Sequence, residues 1–233
     1  MAKAFWKGAI SFGMVSIPVK MYVATTNHGI NFHLLHKKCL TRPKQVLHCE
    51  EDNDYFSIKE TVRGYEYGKG RYVVLKDSDF EKAPIKTTHV IDILGFVKEE
   101  EIAPTYFYGS HYLEPEDFAI KPYCLLRESL RKAGRVGIAK VSFQKREHLC
   151  CVRPLEKLLT LHTIHYQDEV LPPSKINVPE VEISAAELKA AGLLVEVMTT
   201  SFHPEQYADR YKSALEEIIK AKVQGEEVKA VPE

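Results

Sequence analysis

The fourteen residues HKKCLTRPKQVLHC, His36 to Cys49, hold four basic side chains, two histidines and two cysteines with no acid among them. Two chemistries use such a set. Cys39, Cys49, His36 and His48 count to four ligands, the number a tetrahedral zinc site takes. The spacing is poor for it, because the second half of a knuckle normally comes from a CxxC or HxxxH pair and the chain after Cys49 reads EEDNDYF. Cys39 and Cys49 stay as weak metal candidates, and no metal or cofactor is expected. The second chemistry is phosphate binding. Lys37, Lys38, Arg42 and Lys44, followed by Arg63, Lys69 and Arg71 around the Gly- and Tyr-rich GYEYGKGRY, can track a nucleic-acid backbone without reading bases. A merely solvated loop is the ordinary account of such a run. What favours phosphate is a second basic site, Lys145 and Arg146 in QKRE, with Lys140 on the preceding strand.

Catalytic constellations are harder to find. The sequence has no GxSxG, GxxxxGK[ST], HExxH, or GxGxxG after a strand, so the common hydrolase, nucleotide-binding and zinc-protease signatures are missing. His162 and His165 stand three apart on an expected strand, which sends them to opposite faces and leaves them ordinary strand histidines. Cys150 and Cys151, also in a strand, read as small buried hydrophobes.

The 233 residues suffice for one large domain or a core with an appendage, and their 45% apolar and 27% charged composition is that of a globular protein. Five cysteines at irregular spacing suit a reducing cytoplasm better than a disulfide framework. The uncharged run Gly8 to Val19 is too short to span a bilayer and is broken by Pro18, so no membrane association is expected. Net charge is zero, but the balance is uneven. Ile120 to Arg146 carries eight Lys or Arg against Glu128 alone, whereas Glu180 onward carries eleven acids against six bases. Local field and global charge therefore have to be judged separately.

The elements that must position these groups begin with a strand over Val15, Ile17, Val19, Met21 and Val23; Ile10, Phe12 and Met14 hold the opposite phase, which predicts a bulge or sharp turn at Gly13. Further strands are expected at 71–75, 89–97, 136–143, 148–153 and 157–166, with QKRE (144–147) as a hairpin tip. Many short strands and one helix, Tyr123 to Ala133, favour an antiparallel barrel or sandwich. After PPSKINVP (172–179), a capping box at Ser184 and Glu187 opens a helix, and another is expected from Pro204 with Tyr207, Tyr211, Ala214, Leu215 and Ile218 on one face, ending at Gly225. The two helices either fold back on their own domain or cross to a second subunit.

FWKGAISFGMVSIPVKMY, GYEYGKGRYVVL, HYLEPED (111–117), GIAKVSFQKREHL (137–149) and ISAAELKAAGLLVE with its FHPEQYADRY successor resemble, in order from about Phe5 to Gly225, the prokaryotic Ku family of bacterial non-homologous end joining. That resemblance implies a mixed β+α fold: an antiparallel β-barrel core over 1–175, a bridge-like excursion over 36–71, a C-terminal helical arm over 180–225 that embraces a partner subunit, and a short tail over 226–233. It implies a homodimeric ring around double-stranded DNA ends, no catalytic activity, recruitment of the multifunctional ATP-dependent DNA ligase, and a cytoplasmic, nucleoid-associated location. Lys37, Lys38, Arg42 and Lys44 would face DNA, the tip at Lys145 and Arg146 would face inward, and Arg131 and Lys132 would be external. Two features depart from the family pattern. The second half of the CxxC that some relatives carry is EEDNDYF here, and the chain stops at EEVKAVPE where many relatives run into a lysine-rich tail. Weaker binding to closed or internal DNA and strong dependence on a free end are expected from that tail. The competing reading is a non-catalytic adaptor whose barrel and helices bind protein.

Overall fold

The computed structural model describes residues 3–82, 89–144 and 146–225, so Lys145 and the tail over 226–233 lie outside the described residues. By internal contacts the chain divides into two units, Met1–Thr26 with Leu34–Leu171, and Asn27–His33 with Pro172–Glu233.

The first unit is a closed barrel. Strands β1 (Trp6–Phe12) and β2 (Val15–Val23) form a hairpin whose turn places Gly13 at φ +56°, so the parity switch read from the sequence is a tight turn and Phe12 sits opposite Val15. A left-handed residue there strains any side chain but glycine. The excursion then carries two small hairpins, β3 (Leu47–Cys49) with β4 (Asp54–Phe56) and β5 (Arg63–Gly68) with β6 (Arg71–Leu75), and a short helix α1 (Asp77–Glu81). The barrel resumes with β7 (Val90–Lys98), β8 (Phe107–Pro115), helix α2 (Ile120–Ala133), β9 (Arg135–Phe143), β10 (Arg146–Leu155) and β11 (Leu158–Ile164).

Strand order around the barrel is β1-β2-β8-β11-β10-β9-β7. Every pair is antiparallel except the closing one, β1 with β7, where Ile10 lies beside Ile91 in parallel. A parallel pair needs a long crossover, and the excursion supplies it. Strand β8 was not expected. Its inward residues include Gly109 and His111, which blur the apolar alternation.

Inward positions alternate along each strand and meet in one core. Ile10, Ile17, Met21, Ile91, Leu113, Leu159 and Leu161 are fully buried, and Leu126 and Leu130 of α2 pack onto them. Helix α2 ends at Gly134, which at φ +60° takes up the left-handed conformation of a C-cap. Its anchor is Tyr123. The hydroxyl donates to the Leu113 carbonyl at 2.6 Å and accepts from the Leu159 amide at 2.5 Å, so one side chain ties the helix to two neighbouring strands. Cys150 and Cys151 are both buried in β10, where burial pushes their thiols up, that of Cys151 to about 12.

Rings gather on His111 and His148. Phe143 stacks on His148 at 4.1 Å between centroids and meets His111 edge-on at 5.7 Å. Among the described residues His111 Nδ1 and His148 Nε2 find no hydrogen-bond partner. Neighbouring His162 is held between Ser110 and Thr160, each at 3.0 Å. All three imidazoles sit below their usual pKa of 6.5 because burial disfavours the charged form. A depressed folded-state value means the unfolded chain binds more protons, so stability is full above the unfolded value and declines as pH falls through 6.5 toward the folded ones. Denaturant midpoints measured from pH 7.5 to 5 should fall, and His148→Gln should flatten the decline. A midpoint constant over that window contradicts the assignment.

The second unit contains helices α3 (Ala185–Met198) and α4 (Arg210–Gln224). The capping box opens α3 as expected: the Glu187 amide donates to Ser184 Oγ at 3.3 Å and the Ser184 amide donates to Glu187 Oε2 at 2.8 Å. The start of α4 corrects the sequence expectation. Pro204–Gln206 is only a single 3-10 turn, and the helix begins after Asp209, whose Oδ1 accepts from the Lys212 amide at 2.9 Å. Asp209 is the better N-cap, so Tyr207 falls outside the helix. Every residue of α3 is exposed, including Leu188, Leu194, Val195 and Met198. No helix among the described residues is long and apolar enough to cross a membrane.

Candidate nucleic-acid interface

Lys37 and Lys38 sit in a turn closed by the Leu40 amide on the His36 carbonyl at 2.7 Å and the His36 amide on the Thr41 carbonyl at 2.9 Å, with Leu40 at φ +55°. The turn points its side chains outward. Lys37, Lys38, Arg42 and Lys44 are all exposed, and among the described residues none of the four has an ion pair or hydrogen bond. Four unpaired cations within eight residues form the densest basic run on the excursion.

The other basic residues divide. Lys69 is exposed at the tip of the β5–β6 hairpin, beside Gly70 at φ +70°. Arg71 is committed to Tyr67: its Nε donates to the phenol oxygen at 3.1 Å and its guanidinium lies 4.9 Å from the ring centroid. Arg63 lies 4.9 Å over the Phe80 ring, and Asp77 is 4.0 Å away. Both guanidinium groups remain exposed at their outer edges and are oriented by these rings.

On the barrel, Lys140 is paired with Glu147 at 2.7 Å, and that carboxylate holds the ammonium above its usual range. Arg146 reaches Glu169 at 3.4 Å. The QKRE turn is a hairpin tip as expected, with Phe143 opposite Arg146 and Gln144 at φ +52°. Lys140 and Arg146 are thus partly neutralised. The Lys37–Lys44 run therefore holds more free charge than this pair of barrel cations. Arg131 also engages Glu128 at 3.0 Å, as suits an external charge.

The four possible zinc ligands do not converge. His36 Nδ1 is 3.0 Å from Cys39 Sγ, while His48 Nε2 meets Asn53 at 3.1 Å and Cys49 Sγ points to Asp52 at 3.5 Å. Among the described residues no three His, Cys, Asp or Glu gather to hold a metal. Residue types alone did not show that Cys49 ends a strand: EEDN (50–53) is the turn of the β3–β4 hairpin, with Asn53 at φ +51°. An Asn-Asp pair between two short apolar runs was the available signal.

Cys39 is instead an activated thiol. Hydrogen bonds from Thr41, 2.9 Å away, and His36 stabilise its thiolate and lower its pKa to about 7. Alkylation by iodoacetamide should therefore show one fast site with a midpoint near pH 7, lost in Cys39→Ser and shifted upward in His36→Gln. Fast labelling that survives Cys39→Ser would refute this.

The backbone context is as informative as the charge. Both faces of the β5–β6 hairpin are exposed, with Tyr65, Tyr72, Val73 and Val74 all open. An isolated two-stranded ribbon is marginal in water.

Comparison with known proteins agrees with this architecture. A family model described as the Ku70/Ku80 beta-barrel domain matches residues 11–190. The chain is 38% identical over 99% of its length to the "Non-homologous end joining protein Ku" of Koribacter versatilis, covering 79% of that protein. It is 40% identical to the "Non-homologous end joining protein Ku 2" of Saccharopolyspora erythraea, with 96% of this chain and 74% of that one aligned. Against the Ku of Bacillus subtilis it is 37% identical, with 98% and 74% aligned. A seven-stranded barrel closed by a parallel pair, a cationic excursion between its second and third strands, and these matches over most of the chain together place the protein in the Ku family.

Proposed function

We propose that this chain binds the ends of double-stranded DNA without regard to sequence, as a homodimeric ring, in non-homologous end joining. The observation that carries the reading is the run Lys37, Lys38, Arg42 and Lys44, exposed and unpaired on an excursion outside the barrel. Lys69 and the ring-supported Arg63 and Arg71 extend it, and Lys140, Lys145 and Arg146 belong to a lesser basic site on the barrel hairpin. The relatives' names supply the pathway.

Two copies explain what one leaves open. The bare β5–β6 ribbon and the exposed apolar residues of α3 need cover, and a second subunit supplies it for both. A ring holds duplex by topology, so it needs positive potential in the lumen and few base contacts that would stop sliding. The chain contributes no chemistry of its own. It recruits the multifunctional ATP-dependent DNA ligase that fills and seals, and it works in the cytoplasm at the nucleoid.

Binding of a labelled short duplex, followed by anisotropy as salt is raised, tests the reading. Each phosphate contact should steepen the fall of log K against log salt by about 0.9. Binding that ignores salt, or no binding to DNA, would return the protein to the adaptor class. Addition of the ligase to the bound ends should raise joining, and joining unchanged by the protein would remove the recruitment claim.

A further inference from the structure

One end of the barrel is capped by α2 without being filled. Leu126 and Leu130 of the helix are buried in the core, but Leu125 beside them is 68% exposed, and Phe96 on β7 is 46% exposed. Between the helix and the strand ends lies a cavity of about 470 Å³, lined by Phe12, Val15, Phe96, Leu125, Leu130 and Arg135 among others. Its walls are almost wholly apolar, and its volume lies in the range that takes a few bulky side chains. This is not a packing fault of the core. The seven barrel strands close on themselves, and the open space borders the buried cluster, sharing Leu126 and Leu130 with it.

The charge of its lining is a cation. Arg135 is the charged residue of the lining, and Lys98 sits directly across from it in the β7–β9 register. Two cations in facing strand positions repel each other. Among the described residues neither has an ion pair, and Lys132, exposed in the last turn of α2, has none either. Of the nearby acids, Glu128 binds Arg127 and Arg131 and Glu99 binds Arg153, while the exposed Glu100 and Glu101 beyond Lys98 are not part of the lining. An apolar slot with a cationic rim fits a ligand of matching pattern.

We infer that this slot docks a short segment of a partner protein that carries two or three bulky apolar side chains and a carboxylate. The apolar side chains enter between α2 and Phe12, Val15 and Phe96, and the carboxylate pairs with Arg135 at the rim. Arg135 is suited to the task because a guanidinium presents paired donors to both oxygens. The site is separate from the cations proposed to meet DNA, so a partner could be held while the excursion is engaged.

The test is selection of a random twelve-residue phage library on the full-length protein, with Leu125→Glu and Arg135→Glu proteins as controls. Both positions lie at the surface of the slot, and DNA binding of the controls reports that they fold. The expected outcome is enrichment of sequences with bulky apolar residues and at least one Asp or Glu. Their synthetic peptides should bind the unaltered protein at least ten-fold more tightly than either control, and an Asp→Lys peptide should regain binding on Arg135→Glu. No enrichment, enrichment of basic sequences, or peptides indifferent to both substitutions would overturn the proposal. Sedimentation of the same proteins covers the rival occupant: self-association lost in Leu125→Glu, without peptide enrichment, would assign the slot to a second copy.

Discussion

Lys37→Glu combined with Lys38→Glu lowers the affinity for a blunt duplex end about 4,000-fold at 0.1 M salt, and the logarithmic salt dependence becomes shallower by about three to four. The size follows from counting. In the proposed homodimer, two lysines in each subunit remove four cations, and each lost phosphate contact removes about 0.9 of a decade at that salt by forfeiting counterion release. Introduced carboxylates add repulsion. The fold should not change, because both side chains are exposed on a turn held by backbone bonds at His36, Leu40 and Thr41. Arg146→Glu should do less, since Glu169 already offsets that charge. The double variant measured by anisotropy against salt, with circular dichroism to check folding, decides the matter. Unchanged end binding would remove the excursion from the interface.

Tyr123→Ala should leave little folded protein. The residue is 2% exposed, and its loss opens a cavity in the core while orphaning the Leu113 carbonyl and the Leu159 amide that its hydroxyl serves. Large-to-small replacement of a buried aromatic costs about 3–5 kcal/mol, and each orphaned polar group adds about 1–3 kcal/mol. That sum rivals the whole stability of a typical domain. Tyr123→Phe separates the terms: the ring stays, the hydroxyl goes, and a loss of about 2–6 kcal/mol is expected. Tyr22→Phe is the matched control, because Tyr22 bonds Glu114 at the surface. Urea titration of the three variants measures the differences. A Tyr123→Phe protein as stable as the parent would show that the helix is not anchored through this oxygen.

What the sequence displays about the barrel depends on which face each strand shows. β2, β9, β10 and β11 place apolar side chains inward at alternate positions, and that period survives in the sequence. β8 hides because glycine and histidine occupy inward places, and β3 and β4 because three residues carry no period. The parallel closure of β1 on β7 has no local signal at all: it joins segments some eighty residues apart, and only the shape of the closed sheet requires it. At the candidate interface the charges were legible and their neutralisation was not. Lys140 and Glu147 meet diagonally across a hairpin, but the partner of Arg146 comes from a turn beyond β11. Likewise the pairing of His36 with Cys39 follows from a turn geometry, with Leu40 left-handed, that residue types alone do not specify.

The central claim is that the protein threads onto DNA from an end. Gel-shift binding to one short duplex in three forms tests it most directly: linear with open ends, linear with both ends blocked by bulky caps, and covalently closed as a circle. The account predicts a retarded band with the open form and none with the other two. Equal retardation of all three would contradict it, because a protein that binds closed and blocked duplex as readily as an open end lies on the surface of DNA and does not encircle it.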